Sequence, residues 1–176
     1  MKNLLIIISL CLASMSSTFS QNYRAVEWEV LGGARLITTD GTTGNAIALY
    51  TEARFNVNNK ISVGMRFGWQ FFDNIHDELI RGLGVAKSFS FTGDYYVSNK
   101  LNKRAFVGLG LGSFNNEAIT ESGKPVGGSG FGVVPRVGYE LGSFLILTAA
   151  YNHAFEESYP NYFSIGLGLN IGGGYK

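Results

Sequence analysis

Apolar and polar residues alternate with period two through most of the chain beyond residue 21. From Ile61 to Phe71 the odd positions are Ile, Val, Met, Phe, Trp and Phe, and the even ones are Ser, Gly, Arg, Gly and Gln. That pattern predicts a strand with one apolar face and one polar or small face. Ile47, Leu49, Ala53, Phe55 and Val57 alternate in the same way with Tyr50, Glu52, Arg54 and Asn56. Near the C-terminus Phe163, Ile165, Leu167, Leu169 and Ile171 alternate with Ser164, Gly166, Gly168, Asn170 and Gly172. Five further strands are expected at about Ala25–Leu36, Ile80–Val97, Arg104–Phe114, Phe131–Glu140 and Phe144–Phe155. In the second of these Lys87 interrupts the apolar face, and the register there is open.

The connections alternate in length. Asn58-Asn59-Lys60, Ser98–Lys103 and Gly142-Ser143 are short; Thr38–Gly44, Asp73–Glu78, Asn115–Gly130 and Glu156–Asn161 are longer. Eight strands joined in sequence with that asymmetry predict an antiparallel up-and-down transmembrane barrel with its short turns on the periplasmic side. Only closure satisfies every backbone group inside lipid. Eight strands leave an interior filled by side chains.

Polarity separates this reading from a soluble sandwich or a lipocalin-like barrel. One face is almost uniformly Leu, Ile, Val, Phe and Trp, whereas the other carries glycine and charges of both signs. Large residues fit outward into lipid and small ones inward. The expected lumen charges are Glu27, Glu29, Arg35, Glu52, Arg54, Arg66, Arg136 and Glu140. Aromatic side chains gather near strand ends: Trp28, Tyr95, Tyr139 and Tyr175 toward one rim, and Trp69, Phe71, Tyr151 and Phe163 toward the other. Amphipathic rings favour headgroup depth, so these read as two membrane-interface girdles.

Composition agrees. The 176 residues are 45% hydrophobic and 14% aromatic, with 24 Gly and only 15% charged, against about 25% charged in a typical soluble domain. Residues 1–20 read as a cleaved signal peptide: Lys2, an apolar run from Leu4 to Ala13 too short to span a bilayer, then small and polar residues. Cleavage after Ser20 exposes Gln21; a cut after Ala13 is the alternative. The barrel domain is then 21–176. Cys11 falls within the leader, and the mature chain has no disulfide or thiolate site. Losing Lys2 lowers the 14 basic residues to 13, equal to the 13 acidic ones, so nothing draws the protein to nucleic acid.

The Gln21 start and the closing segment Ile165-Gly166-Leu167-Gly168-Leu169-Asn170-Ile171-Gly172-Gly173-Gly174 resemble the small outer-membrane β-barrel domain proteins of the OmpX and OmpA-barrel class, in the form common in Bacteroidetes. The resemblance covers the mature chain and implies a bacterial outer-membrane location, lipid as the surrounding partner and no cofactor. Barrels of this class usually end in an aromatic residue, whereas here Tyr175 is penultimate and Lys176 last.

Three functions follow from such a barrel. The first is a structural or surface-interaction role, with an unidentified ligand or envelope protein met through the polar, Gly-rich loop 115–130, which carries Glu117, Glu121 and Lys124. The second is a lipid A-modifying enzyme of the deacylase kind, for which His153 would be base, Glu156 or Glu157 its orienting group and Ser158 the nucleophile. Phe155 stands where that family's His-x-Ser pattern has its serine. The third is a small porin, which the lumen charges oppose. Gly108, Gly110 and Gly112 lack the helix of a phosphate loop and read as space inside a narrow barrel. Asp73, His76, Asp77 and Glu78 fit no metal-ligand spacing and read as a solvated turn. No metal is expected.

Overall fold

The structure is a computed structural model and describes residues 24–37, 45–75, 78–100, 103–119, 121, 123, 125–142, 144–156 and 161–172. These form eight strands: β1 (Val26–Ile37), β2 (Asn45–Asn56), β3 (Ile61–Ile75), β4 (Glu78–Lys100), β5 (Lys103–Ile119), β6 (Pro125–Leu141), β7 (Leu145–Ala154) and β8 (Tyr162–Ile171). Each pairs antiparallel with the next, and β8 closes on β1 from Trp28↔Ile171 to Ile37↔Tyr162. The result is an all-β, eight-stranded, up-and-down closed barrel. The leader, residues 1–20, lies outside the described residues.

Alternation sets which side chains face inward. Along β8 every second residue from Tyr162 to Ser164 and Gly166 is buried, while Phe163, Ile165, Leu167, Leu169 and Ile171 are exposed. Ile47 is 72% exposed and Leu167 56%. Large apolar side chains therefore cover the outside of every strand, far beyond the few hundred Å² of contiguous apolar surface typical of a soluble monomer. Lys87 falls on this outer face, opposite Trp69 and Asn115, so β4 keeps its register through it.

Short turns join the strands at the end where β1 begins, here the turn end. Asn58 Oδ1 accepts the amides of Lys60 at 2.7 Å and Ile61 at 2.9 Å, an Asx turn that reverses β2 into β3. Gly142, with φ of 68°, occupies the left-handed conformation required between β6 and β7. Pro135 has no amide to donate, and the β6–β7 ladder is interrupted between Val133↔His153 and Arg136↔Ala150.

At the opposite, loop end two expected loops are largely strand. The stretch expected as loop 115–130 is a hairpin: β5 and β6 stay paired from Asn115↔Ser129 to Ile119↔Pro125. The stretch expected as loop 73–78 is likewise paired at Asn74↔Leu79 and Ile75↔Glu78, beyond an irregularity at Phe72/Asn74. Side chains of Asp73 and Glu78, residues His76 and Asp77, and loop 38–44 lie outside what is described.

The interior is less uniformly polar than the alternation implies. Tyr50, Phe72, Tyr96, Phe106, Phe114 and Tyr162 are all buried, with Leu31 and Ile146. Glycine makes room for them: a Cβ on Gly138 would run into the Phe106 ring, and one on Gly68 into the Tyr50 ring.

Candidate functional site: a charged lumen beneath an extended sheet

Inward-facing residues two apart on each strand meet across a narrow lumen, so charges distant in sequence become neighbours. Glu27 and Glu29 come from β1, Glu52 and Arg54 from β2, Asp94 from β4, Arg104 from β5, and Arg136 and Glu140 from β6; all are buried. Arg136 donates to Glu52 at 2.5 and 2.7 Å and to Asp94 at 2.8 and 2.6 Å. Arg54 pairs with Glu29 and donates to Glu140 at 3.0 Å and to the Tyr96 hydroxyl at 2.7 Å. Arg104 joins Glu140 at 2.6 Å to Glu27 at 2.6 Å. Neutral donors complete the set. Asn56 donates to Glu27 at 2.8 Å, Thr92 to Glu52 at 2.7 Å and Tyr96 to Glu140 at 2.8 Å.

This cluster fills the lumen toward the turn end. Two more arginines lie against rings. Arg35 stacks 4.1 Å from the Tyr162 centroid and donates to Gln70 at 2.7 Å; Gln70 in turn donates to Tyr162 at 2.6 Å. The Arg66 guanidinium sits 4.1 Å from the Tyr50 centroid. The carboxylates of Glu27, Glu29 and Glu140 lie within 4.8 Å of one another, close enough to share a cation. Arg54 and Arg104 already supply positive charge there.

The eight lumen charges named from sequence thus comprise six in the ionic cluster, Arg35 over the Tyr162 ring, and Arg66 over the Tyr50 ring and directly opposite Glu52 in the β2–β3 register. Asp94, Arg104 and Tyr96 are members that the sequence reading omits. Their parity carries the signal: Tyr96 follows Asp94 by two and Phe106 follows Arg104 by two, on the inward side.

The suggested catalytic group does not assemble among the described residues. His153 Nδ1 lies 3.1 Å from Asn161 Oδ1, and its ring stacks on Tyr151. Glu156 accepts the Phe131 amide at 2.9 Å instead. Glu157 and Ser158 lie outside the described residues. Of the rim aromatics, Trp28, Tyr95 and Tyr139 are exposed at the turn end, and Trp69, Phe71 and Phe163 at the loop end. Tyr151 there is half-buried against Phe163. Tyr175 lies outside the described residues.

Above the lumen, the wall is uneven. The last β6–β7 pair is Gly132↔Ala154, yet β6 continues to Pro125 beside β5. Phe131 still accepts the Phe155 amide at 2.9 Å, and residues 125–130 extend about 20 Å beyond it at about 3.3 Å per residue. Among the described residues, β3 with β4 and β5 with β6 continue past the last pairs that β3 makes with β2 and β6 makes with β7.

The sequence matches no protein-family model and no curated protein. Solved structures do match. Neisserial surface protein A is similar with a TM-score of 0.66 at 10% identity, over 85% of this chain and 97% of that one. The N-terminal β-barrel domain of Pseudomonas aeruginosa OprF matches with a TM-score of 0.59 at 14% identity, over 86% and 98%. Ail, the attachment invasion locus protein of Yersinia pestis, solved in complex with the heparin analogue sucrose octasulfate, matches with a TM-score of 0.56 at 16% identity, over 86% and 99%. With its closed eight-stranded architecture, the chain has the fold of the small outer-membrane β-barrels.

Proposed function

We propose that this is an integral protein of a bacterial outer membrane, exported by residues 1–20, whose plugged barrel carries a surface-exposed β3–β6 sheet for contact with an external ligand or envelope protein. The observation that carries the reading is the mismatch between wall and sheet. An apolar exterior fits lipid, while the polar hairpin of β5 and β6 stands clear of the last β7 pair. Its rim holds Glu117 and Glu121, both exposed. Among the described residues the β6 stretch 125–130 pairs with β5 alone, and such an edge presents backbone groups of the kind that recognise extended segments of a partner. The complex of Ail with a sulfated heparin analogue supports a binding role for barrels of this shape. The glycine-rich closing strand β8 fits the form common in Bacteroidetes. A non-enzymatic role is supported by the engagement of His153 Nδ1 with Asn161 Oδ1 at 3.1 Å and of Glu156 with the Phe131 amide at 2.9 Å. Lumen charges act as a structural plug, which disfavours conduction.

The test is surface labelling of Glu121→Cys on intact cells with a membrane-impermeant maleimide, combined with gel migration of the extracted protein. The expected result is labelling without lysis, and a folded band in the outer-membrane fraction that shifts on boiling. Recovery as a soluble periplasmic protein without a shift removes the membrane reading. A shift with labelling only after lysis reverses the proposed sidedness.

A further inference from the structure

On the outer wall, β3 to β6 set two rungs of side chains one above the other. The upper rung, in register across four strands, is Trp69, Lys87, Asn115 and Ser129. The lower rung, two residues closer to the turn end, is Phe67, Phe89, Ser113 and Phe131. Ser113 is the one small side chain in that lower rung, and it leaves a notch between Phe89 and Phe131. Together the rungs line a groove of about 620 Å³ on the exterior, within the range of about 300–1,000 Å³ of small-ligand sites.

Depth distinguishes this groove from ordinary lipid-facing wall. Tyr95, at the turn-end rim, and Lys87 are eight residues apart on β4. At about 3.3 Å per residue and a tilt of about 40°, that separation is about 20 Å of height, against an apolar band of about 25 Å. Lys87 therefore lies at the loop-end edge of the band, beside the rim residue Trp69. Among the described residues it is the one cation on the outer wall between the two aromatic rims. Glu156 lines the far side of the groove, three strand spacings from Lys87, with its Oε2 accepting the Phe131 amide at 2.9 Å.

A cation at headgroup depth over an aromatic notch complements a molecule with an anionic head and an apolar tail. We propose that this groove is a specific site for one anionic phospholipid, whose phosphate accepts hydrogen bonds from Lys87, Asn115 and Ser129 while an acyl chain lies over Ser113 between Phe89 and Phe131. The proposal rests on the membrane reading above. It adds a preferred lipid at one place on an otherwise non-selective wall.

Native mass spectrometry of the folded barrel in detergent tests it, with phosphatidylglycerol, phosphatidylcholine and uncharged diacylglycerol as probes. Wild type is expected to retain one phosphatidylglycerol in preference to both others. Lys87→Gln is expected to weaken that retention about fivefold, the upper end for losing one exposed ion pair. Ser113→Phe, which fills the notch from outside, is expected to weaken it comparably. Both variants keep the heat-dependent gel shift, because neither side chain enters the lumen. Equal retention of the three lipids by wild type, or unchanged retention in both variants with the shift intact, overturns the lipid site and leaves the barrel standing. A wild-type protein without the shift overturns both.

Discussion

Arg136 on β6 reaches across the lumen to Glu52 on β2 and binds both carboxylate oxygens, at 2.5 and 2.7 Å. The same guanidinium holds Asp94. Removing one partner of such a buried group strands the others without water or countercharge. Arg136→Met is therefore expected to cost about 3–5 kcal/mol. The measurement is urea unfolding in detergent micelles, read from the folded band on gels. A loss below about 1 kcal/mol, the value for exposed pairs, would mean that water fills this part of the lumen.

Gly138 sits under the Phe106 ring, where a Cβ would collide with it. Gly138→Val is expected to destabilise the barrel by about 1–3 kcal/mol through overpacking. Adding Phe106→Leu should recover part of that loss, since the smaller side chain yields the space. Thermal loss of the heat-shifted band, compared across the single and double variants, checks the coupling. Simple additivity of the two changes would show that the ring and the glycine do not share one packing site.

His153→Ala removes the ring that contacts Asn161 and Tyr151. Overexpression of wild type or variant is expected to leave the cell's lipid A profile the same as that of cells lacking the protein, and the variant should lose about 0.5–1.5 kcal/mol of stability for one hydrogen bond. Mass analysis of extracted lipid A decides it. A modified lipid species that depends on His153 would replace the binding role with an enzymatic one.

The barrel was legible wherever a strand separates two different environments. β2, β3 and β8 alternate cleanly because one side is apolar exterior and the other a tight interior, and their expected spans agree with the structure to within a few residues. The upper halves of β5 and β6 were not. Asn115, Asn116, Gly127, Gly128 and Ser129 stand above the apolar band, where both faces of a hairpin meet polar surroundings and no period-two contrast is imposed. The lumen was partly legible for a related reason. Charges on the inward parity announce themselves, but Tyr96, Phe106, Phe114 and Tyr162 share that parity and read as outward-type residues when chemistry is weighed before position. The sheet register puts them inside, where ring faces receive Arg35, Arg54, Arg66 and Arg104.

At the seam between β8 and β1, Asn170 donates to Glu27 at 3.2 Å across 143 residues of chain. Glu27 also needs Arg104 from β5 and Asn56 from β2, so its surroundings are complete only once the last strand has docked beside the first. Formation of the barrel is consequently tied to its longest-range contacts, the kind that make β-topologies slow to fold. Closing the cylinder and completing the donor shell of this buried carboxylate are therefore one and the same event.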